Sequence, residues 1–494
     1  MSPFLVLATI LFYFIILFTV SYIAGRKADN QGFFVGNRKS PWFVVAFAMI
    51  GSSISGVTFV SVPGMVATSN FSYLQMVMGF VVGQLIIAFV LIPLFYKMNL
   101  VSIYEYLETR FGVSSYKTGA WFFFVSKMLG AAVRLFLVCV VLQLLVFEPL
   151  HLPFLLNVVF TVSLVWLYTF RGGVKALIWT DSLKTFCLVA SVALCIYYIA
   201  SELNLGFTGA MNAIADNDFS KMFFFDDVND KRYFFKQFLA GIFTMIAMTG
   251  LDQDMMQRNL SCKNFKDSQK NMITSGIFQF FIVLMFLVLG VLLYIYTAKS
   301  GIQNPVKTDQ LFPMIATQGY FPQIVGLLFV LGLVSAAYSA AGSALTALTT
   351  SFTVDILETT KKKTESQTTK IRKIVHVGMS VVMGLVIIAI NLLNNTSVID
   401  AVYIMASYTY GPILGMFAFG IFTKKQVHDK YVPLVALLSP VLCFFLQKNS
   451  EAWFNGYTFS YELLIMNAAF TFIGLLFISR PLNPLKGTLR GGEQ

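Results

Sequence analysis

The chain predicts an all-α integral membrane protein, and three observations predict it. Charged residues make up 12% and hydrophobic residues 57% of the 494 positions, whereas a soluble globular chain carries about 25% charged residues. Thirteen apolar runs, most of them near the roughly 20 residues a helix needs to cross a bilayer, fall at 3–24, 42–68, 72–98, 116–148, 153–170, 174–200, 237–257, 271–297, 320–352, 373–394, 398–423, 431–447 and 459–480. With that count the basic residues segregate, 25 in the loops of one side and seven in those of the other. A missed or invented span would scramble the split. The positive-inside rule makes the basic side cytoplasmic, with the N-terminus outside, the C-terminus inside and the plasma membrane as the location. The net charge of +12 is then a topology signal and not the mark of a nucleic-acid partner.

The runs can be taken in order. The run 3–24 has no basic start and no small-residue cleavage site, so it reads as a retained helix and not as a signal peptide. The run 42–68 is interrupted by "GSSISG" at 51–56. Backbone freed in lipid costs several kcal/mol per group unless it lines a cavity or binds something; small residues also permit close helix packing. Run 116–148 carries Arg134 with no acid nearby in sequence, and a charge at that depth should face the bundle interior or water. Run 174–200 carries Asp181 near its inner end. Run 237–257 turns polar after Gly250, with Asp252, Gln253 and Asp254.

Each interrupted run opens a block of five spans. Paired interruptions at matching places point to an inverted-repeat transporter. The expected organisation is an extra helix and cytoplasmic loop at 1–41, a first repeat at 42–200, an extracellular loop at 201–236, a second repeat at 237–423, and two helices with a cytoplasmic tail at 424–494. The loop 201–236 holds five aspartates among aromatics and reads as a lid or a plain connector. The stretch 353–372 is a polar linker.

Several function classes lack a signature. There is no nucleophile elbow, Walker A loop or dinucleotide fingerprint. The three histidines, at 151, 376 and 428, form no ligand or catalytic spacing, and the five cysteines form no pair motif. An enzyme, an ATP-driven pump and a disulfide framework are all disfavoured.

Four stretches, in order, resemble the sodium/solute symporter family, whose members include bacterial proline, galactose and sialic acid transporters. They are "VSIYEYLETRFG" (101–112), "YTFRGGVKALIWTD" (168–181), "TGLDQDMMQRNLSCKNFKDSQ" (249–269) and "YGPILGMFAFGIF" (410–422). The resemblance implies a five-plus-five inverted-repeat (LeuT-like) core with one helix before and two after it, alternating access, and Na+ as the co-transported ion.

It also implies sites. Na+ is a hard cation that takes oxygen ligands, and the matching positions are the carbonyls of Gly51, Ile54 and Ala336 and the hydroxyl of Ser339. The family's second hydroxyl is replaced by Ala340, which removes one ligand; water, Ser335 or another carbonyl would have to stand in. A second cation or proton site matches Asp181, Ser339 and Ser343, with Gly342 at a further matching position. Asp181 can equally be a helix cap or the partner of Lys184, three residues on, and serines on an apolar helix can bond back to their own backbone.

For the solute, the matching positions are Ser53, Ser55 and Thr58 on the interrupted run, Gln75 on the next, and Arg134, whose planar fork suits a carboxylate. Phe243, Thr244, Thr249 and Gln279 are further candidates. The stretch "MIAMTG" (245–250) has no Tyr or Trp on which a neutral sugar would stack. The expectation is Na+ symport of a small carboxylate such as sialic or another sugar acid. The alternatives are a proton-coupled symporter of the same fold, a passive channel, or a transporter-like sensor, which would carry a soluble signalling domain.

Overall fold

The computed structural model describes residues 3–25, 33, 38–54, 56–100, 102–170, 173–393 and 398–480. The main helices are α1 (Pro3–Gly25), α2 (Trp42–Ser53), α3 (Gly56–Ser69), α4 (Tyr73–Lys97), α5 (Val113–Phe147), α6 (Phe154–Thr169), α7 (Gly173–Glu202) and α8 (Phe234–Gly250). They continue with α9 (Gln253–Asn259), α10 (Phe265–Ser300), α11 (Gln323–Ile356), α12 (Glu365–Leu393), α13 (Val398–Phe422), α14 (Val432–Trp453) and α15 (Leu463–Phe477). Among the described residues, nine helices are long and apolar enough to span a membrane, or up to 11 if each bent pair is one span. The shorter α6 and α15 have 16 and 15 residues, about 24 and 22 Å of rise. Eleven of the thirteen predicted runs overlap one of these helices, and two, 42–68 and 237–257, overlap a bent pair.

Both predicted interruptions are present, and the first is narrower than expected. Helix α2 persists through Ser53, and the chain leaves it at Ile54, with φ −89° and ψ 101°. The axes of α2 and α3 differ by 57°. Ser55 lies outside the described residues. The two glycines of "GSSISG" are not unwound; they flank the break and admit neighbours. A Cβ on Gly51 would overlap Thr185 Oγ1 of α7 and lie 3.2 Å from the Asp181 carbonyl, and one on Gly56 would lie 3.0 Å from Ala337 Cβ of α11. The break is therefore wedged between α7 and α11. Gly51→Val should cost about 1–3 kcal/mol through overpacking, read as a lowered unfolding midpoint of the purified protein.

The second break has a different cause. The N–H of Leu251 reaches back to the Ile246 carbonyl at 3.0 Å, a widened last turn. Asp252 then caps the next helix by accepting the Met255 N–H at 3.1 Å. Helices α8 and α9 are bent by 70°. A carboxylate cap at this point starts a new helix instead of extending the old one.

Helix α11 runs through the middle of the bundle, packed against α2, α3, α5 and α7. Helix α14 is peripheral and exposes Leu434, Leu437, Leu438, Val441, Phe444 and Phe445, the apolar surface that a lipid environment covers. All five cysteines are free thiols.

The loop 201–236 is neither loose nor bare. It contains a helix at Phe207–Ala215 and is tied to the α3–α4 corner. Asn70 Nδ2 donates to the Asp218 carbonyl at 2.9 Å, and Gln75 Nε2 donates to the Arg232 carbonyl at 2.8 Å. The Phe224 N–H donates to Gln75 Oε1 at 3.3 Å. Gln75 is thus fully buried as a clasp for this loop, which removes it from the solute candidates: its amide is already occupied at both ends.

Candidate functional site

A cavity opens where the two broken helices face α5, α10, α11 and α13. Of the sequence candidates, Ser53, Thr58, Arg134, Thr244, Thr249, Gln279 and Ser343 all line it. Phe243 does not; it lies in an apolar groove on the outside of α4, α8, α13 and α15. Neighbouring positions on a helix point about 100° apart, so Phe243 faces away where Thr244 faces in. The side chain of Ser339 lies outside the described residues. Ser343 Oγ donates to the Ala340 carbonyl at 3.1 Å, the backbone bond expected of a serine on an apolar helix.

Two of the three carbonyl positions expected of a main cation site, Gly51 and Ile54, lie at the first break, and the third, Ala336, is on α11. Gly51 is in the last turn of α2, where helix carbonyls lack their usual partners. Ile54 is extended, so its carbonyl departs from the helix direction. Ala336 is buried on α11 one residue from Ala337, which touches the start of α3.

Asp181 is not a free ligand. It belongs to a buried chain of charges. Lys127 Nζ of α5 lies 3.1 Å from both oxygens of Asp252 and 2.7 Å from Asp254 Oδ2. Tyr410 Oη also donates to Asp252. Arg258 Nη2 meets Asp254 at 3.0 Å and its Nε meets Asp181 Oδ2 at 3.5 Å, by charge and not by aligned hydrogen bonds. Lys184 Nζ lies 3.2 Å from Asp181 Oδ1, and Ser52 Oγ lies 3.4 Å from Oδ2. Sequence reasoning left out Lys127, Arg258 and the pairing of Asp252 and Asp254. One signal was available. Of 35 Lys and Arg, only Lys127, Arg134 and Lys184 lie within the apolar runs and outside the two loop sets.

Arg134 differs from the other two. It stands seven residues, or two turns, beyond Lys127 on the same face of α5. Its Nε is buried with no hydrogen-bond partner among the described residues. The cavity's carboxylates are already engaged by Lys127 and Arg258. Gln279 is oriented by Gln84, whose Nε2 donates to its Oε1 at 3.3 Å.

This architecture has known counterparts. The model of the Sodium:solute symporter family matches residues 33–429. The chain belongs to the sodium:solute symporter family. Among relatives of this symporter, the sodium/sialic acid symporter NanT of Aliivibrio fischeri is 25% identical over 447 residues, 85% of this chain and 83% of NanT. The human sodium-coupled monocarboxylate transporter 1 is 28% identical over 417 residues, 81% of this chain and 66% of that protein. The solved structure of a substrate-bound, outward-open Na+-coupled sialic acid symporter superposes with a TM-score of 0.82 at 20% identity, covering 97% of this chain and 99% of that one. The fold is the five-plus-five inverted repeat in a multi-pass membrane protein. The protein is a symporter that couples Na+ to a small-molecule solute, not an enzyme.

Proposed function

We propose that this symporter imports a small carboxylate, such as sialic or another sugar acid, across the plasma membrane with Na+. The observation that carries the reading is Arg134: a cation in the cavity wall whose Nε has no protein partner among the described residues, beside carboxylates already neutralised by other cations. Arg134 is half-buried; a charge at that depth of the bundle faces a partner or water, and a carboxylate fits the guanidinium fork. The carboxylate cargo named for the two relatives agrees with this chemistry. Ser53, Thr58 and Gln279 supply hydroxyl and amide groups for the rest of a polyhydroxylated solute. The apolar side of the pocket comes from Val57, Phe80 and Met248.

Na+ is held by the carbonyls of Gly51, Ile54 and Ala336 and by Ser339, tying the first break to α11 and completing the cavity wall formed by Ser53 and Thr58. Alternating access, by rocking of the structure around this site, then releases both inward. The segregation of basic residues supports an outside N-terminus and an inside C-terminus.

Uptake of radiolabelled sialic acid by proteoliposomes tests this. An inward Na+ gradient should drive accumulation, and an equal K+ gradient should not. Equal uptake in both, with accumulation only under a proton gradient, would contradict Na+ coupling.

A further inference from the structure

We propose that Lys184 is a built-in cation: its ammonium holds the position beside Asp181 that a second co-transported ion would take, leaving the main site as the only Na+ site. This deepens the Na+-symport reading and rests on it.

The ammonium sits in an oxygen-lined niche of the kind a cation needs. Lys184 is 1% exposed. Its Nζ lies 3.2 Å from Asp181 Oδ1, 3.2 Å from Tyr168 Oη and 3.5 Å from the Tyr338 carbonyl, and 4.3 Å from the centre of the Tyr168 ring. These groups come from α6, α7 and α11, so the niche is built by three helices. The remaining room on α11 is taken as well. A Cβ on Gly342 would overlap Tyr168 Oη, and that phenol is fixed by donating to the Tyr338 carbonyl. The second oxygen of Asp181 faces Arg258 Nε at 3.5 Å and Ser52 Oγ at 3.4 Å.

Charge balance leads to the same conclusion. Among the described residues, the linked buried charges are Asp181, Asp252 and Asp254 on one side and Lys127, Lys184 and Arg258 on the other, none more than 9% exposed at the side chain. Three negative charges meet three positive charges. A further Na+ at Asp181 would be an uncompensated charge in a low-dielectric interior, which is strongly disfavoured. Removing the Lys184 ammonium leaves one negative charge in excess, and a mobile Na+ can neutralise it. Removing Asp181 and Lys184 together restores neutrality.

The test is equilibrium binding of radiolabelled Na+ alone to the purified full-length protein, without solute. Lys184→Gln should bind one more Na+ per molecule than the wild type, and the double variant Asp181→Asn with Lys184→Gln should return to the wild-type count. A wild type that already binds two Na+ overturns the proposal, a result independent of how any variant folds. So does a folded Lys184→Gln protein that gains none. A wild type that binds no Na+, with one gained in Lys184→Gln, upholds the assignment of Lys184 while removing the main Na+ site; the two readings thus fail separately.

Discussion

Arg134→Ala should weaken binding of the proposed carboxylate solute, assayed as sialic acid, to the purified symporter by about 10²- to 10³-fold, while the protein stays folded. Truncating one partner of a buried, hydrogen-bonded charge pair costs about 2–5 kcal/mol, and each 1.4 kcal/mol is roughly tenfold in affinity. Fold is spared because Arg134 has no protein partner at Nε among the described residues, so its removal strands no carboxylate of the protein. Arg134→Lys keeps the charge and loses the planar fork; it should recover only part of the affinity. A neutral analogue of the same solute should lose far less than the acid does. Isothermal titration of the three proteins measures all of this. Unchanged affinity in Arg134→Ala would return the residue to a structural role.

Lys127→Ala should have the opposite profile, with stability lost first. Its ammonium is shared by Asp252 and Asp254 at 2.7–3.1 Å. It joins α5 to the second break in the cavity wall. Removing one member of a buried ion cluster costs about 3–5 kcal/mol because the carboxylates left behind have lost their counter-charge. Arg258 still meets Asp254, and Tyr410 and the Met255 N–H still meet Asp252, so the loss should fall near the lower end. Pairing Lys127→Met with Asp254→Asn restores the charge balance and should recover most of the loss. Unfolding midpoints in detergent read the order: wild type, double variant, Lys127→Ala. A single variant as stable as the wild type would mean the cluster carries no weight in holding α5 to α8 and α9.

How much of this was legible can be argued residue by residue. The two breaks were visible because glycine, serine and aspartate at mid-run contradict a lipid-facing helix, and that contradiction is local. Their extent was not: whether Gly51 unwinds or admits α7 depends on Thr185, 134 positions away. Arg134 stood out because an unpaired charge in an apolar run has few explanations. Lys127 gave the same signal, two turns earlier, but its partners come from the second break and share no local pattern with it. Gln75 was misplaced because a polar residue on an apolar helix can serve a loop as well as a cavity, and only the position of Arg232 and Phe224 decides between them. Phe243 and Thr244 are adjacent in sequence and separated by a third of a helical turn in space. Asp181 and Lys184 were readable as a pair from their spacing; that Tyr168 and the Tyr338 carbonyl complete the niche was not.

The reciprocal effect of ion and solute on the purified protein tests the central claim most directly, because one break shared by both sites must couple them. Sialic acid affinity measured across Na+ concentrations, and Na+ affinity measured with and without saturating sialic acid, should each tighten by the same factor, as linkage requires. Affinities that stay unchanged in both directions would contradict a shared site at the first broken helix.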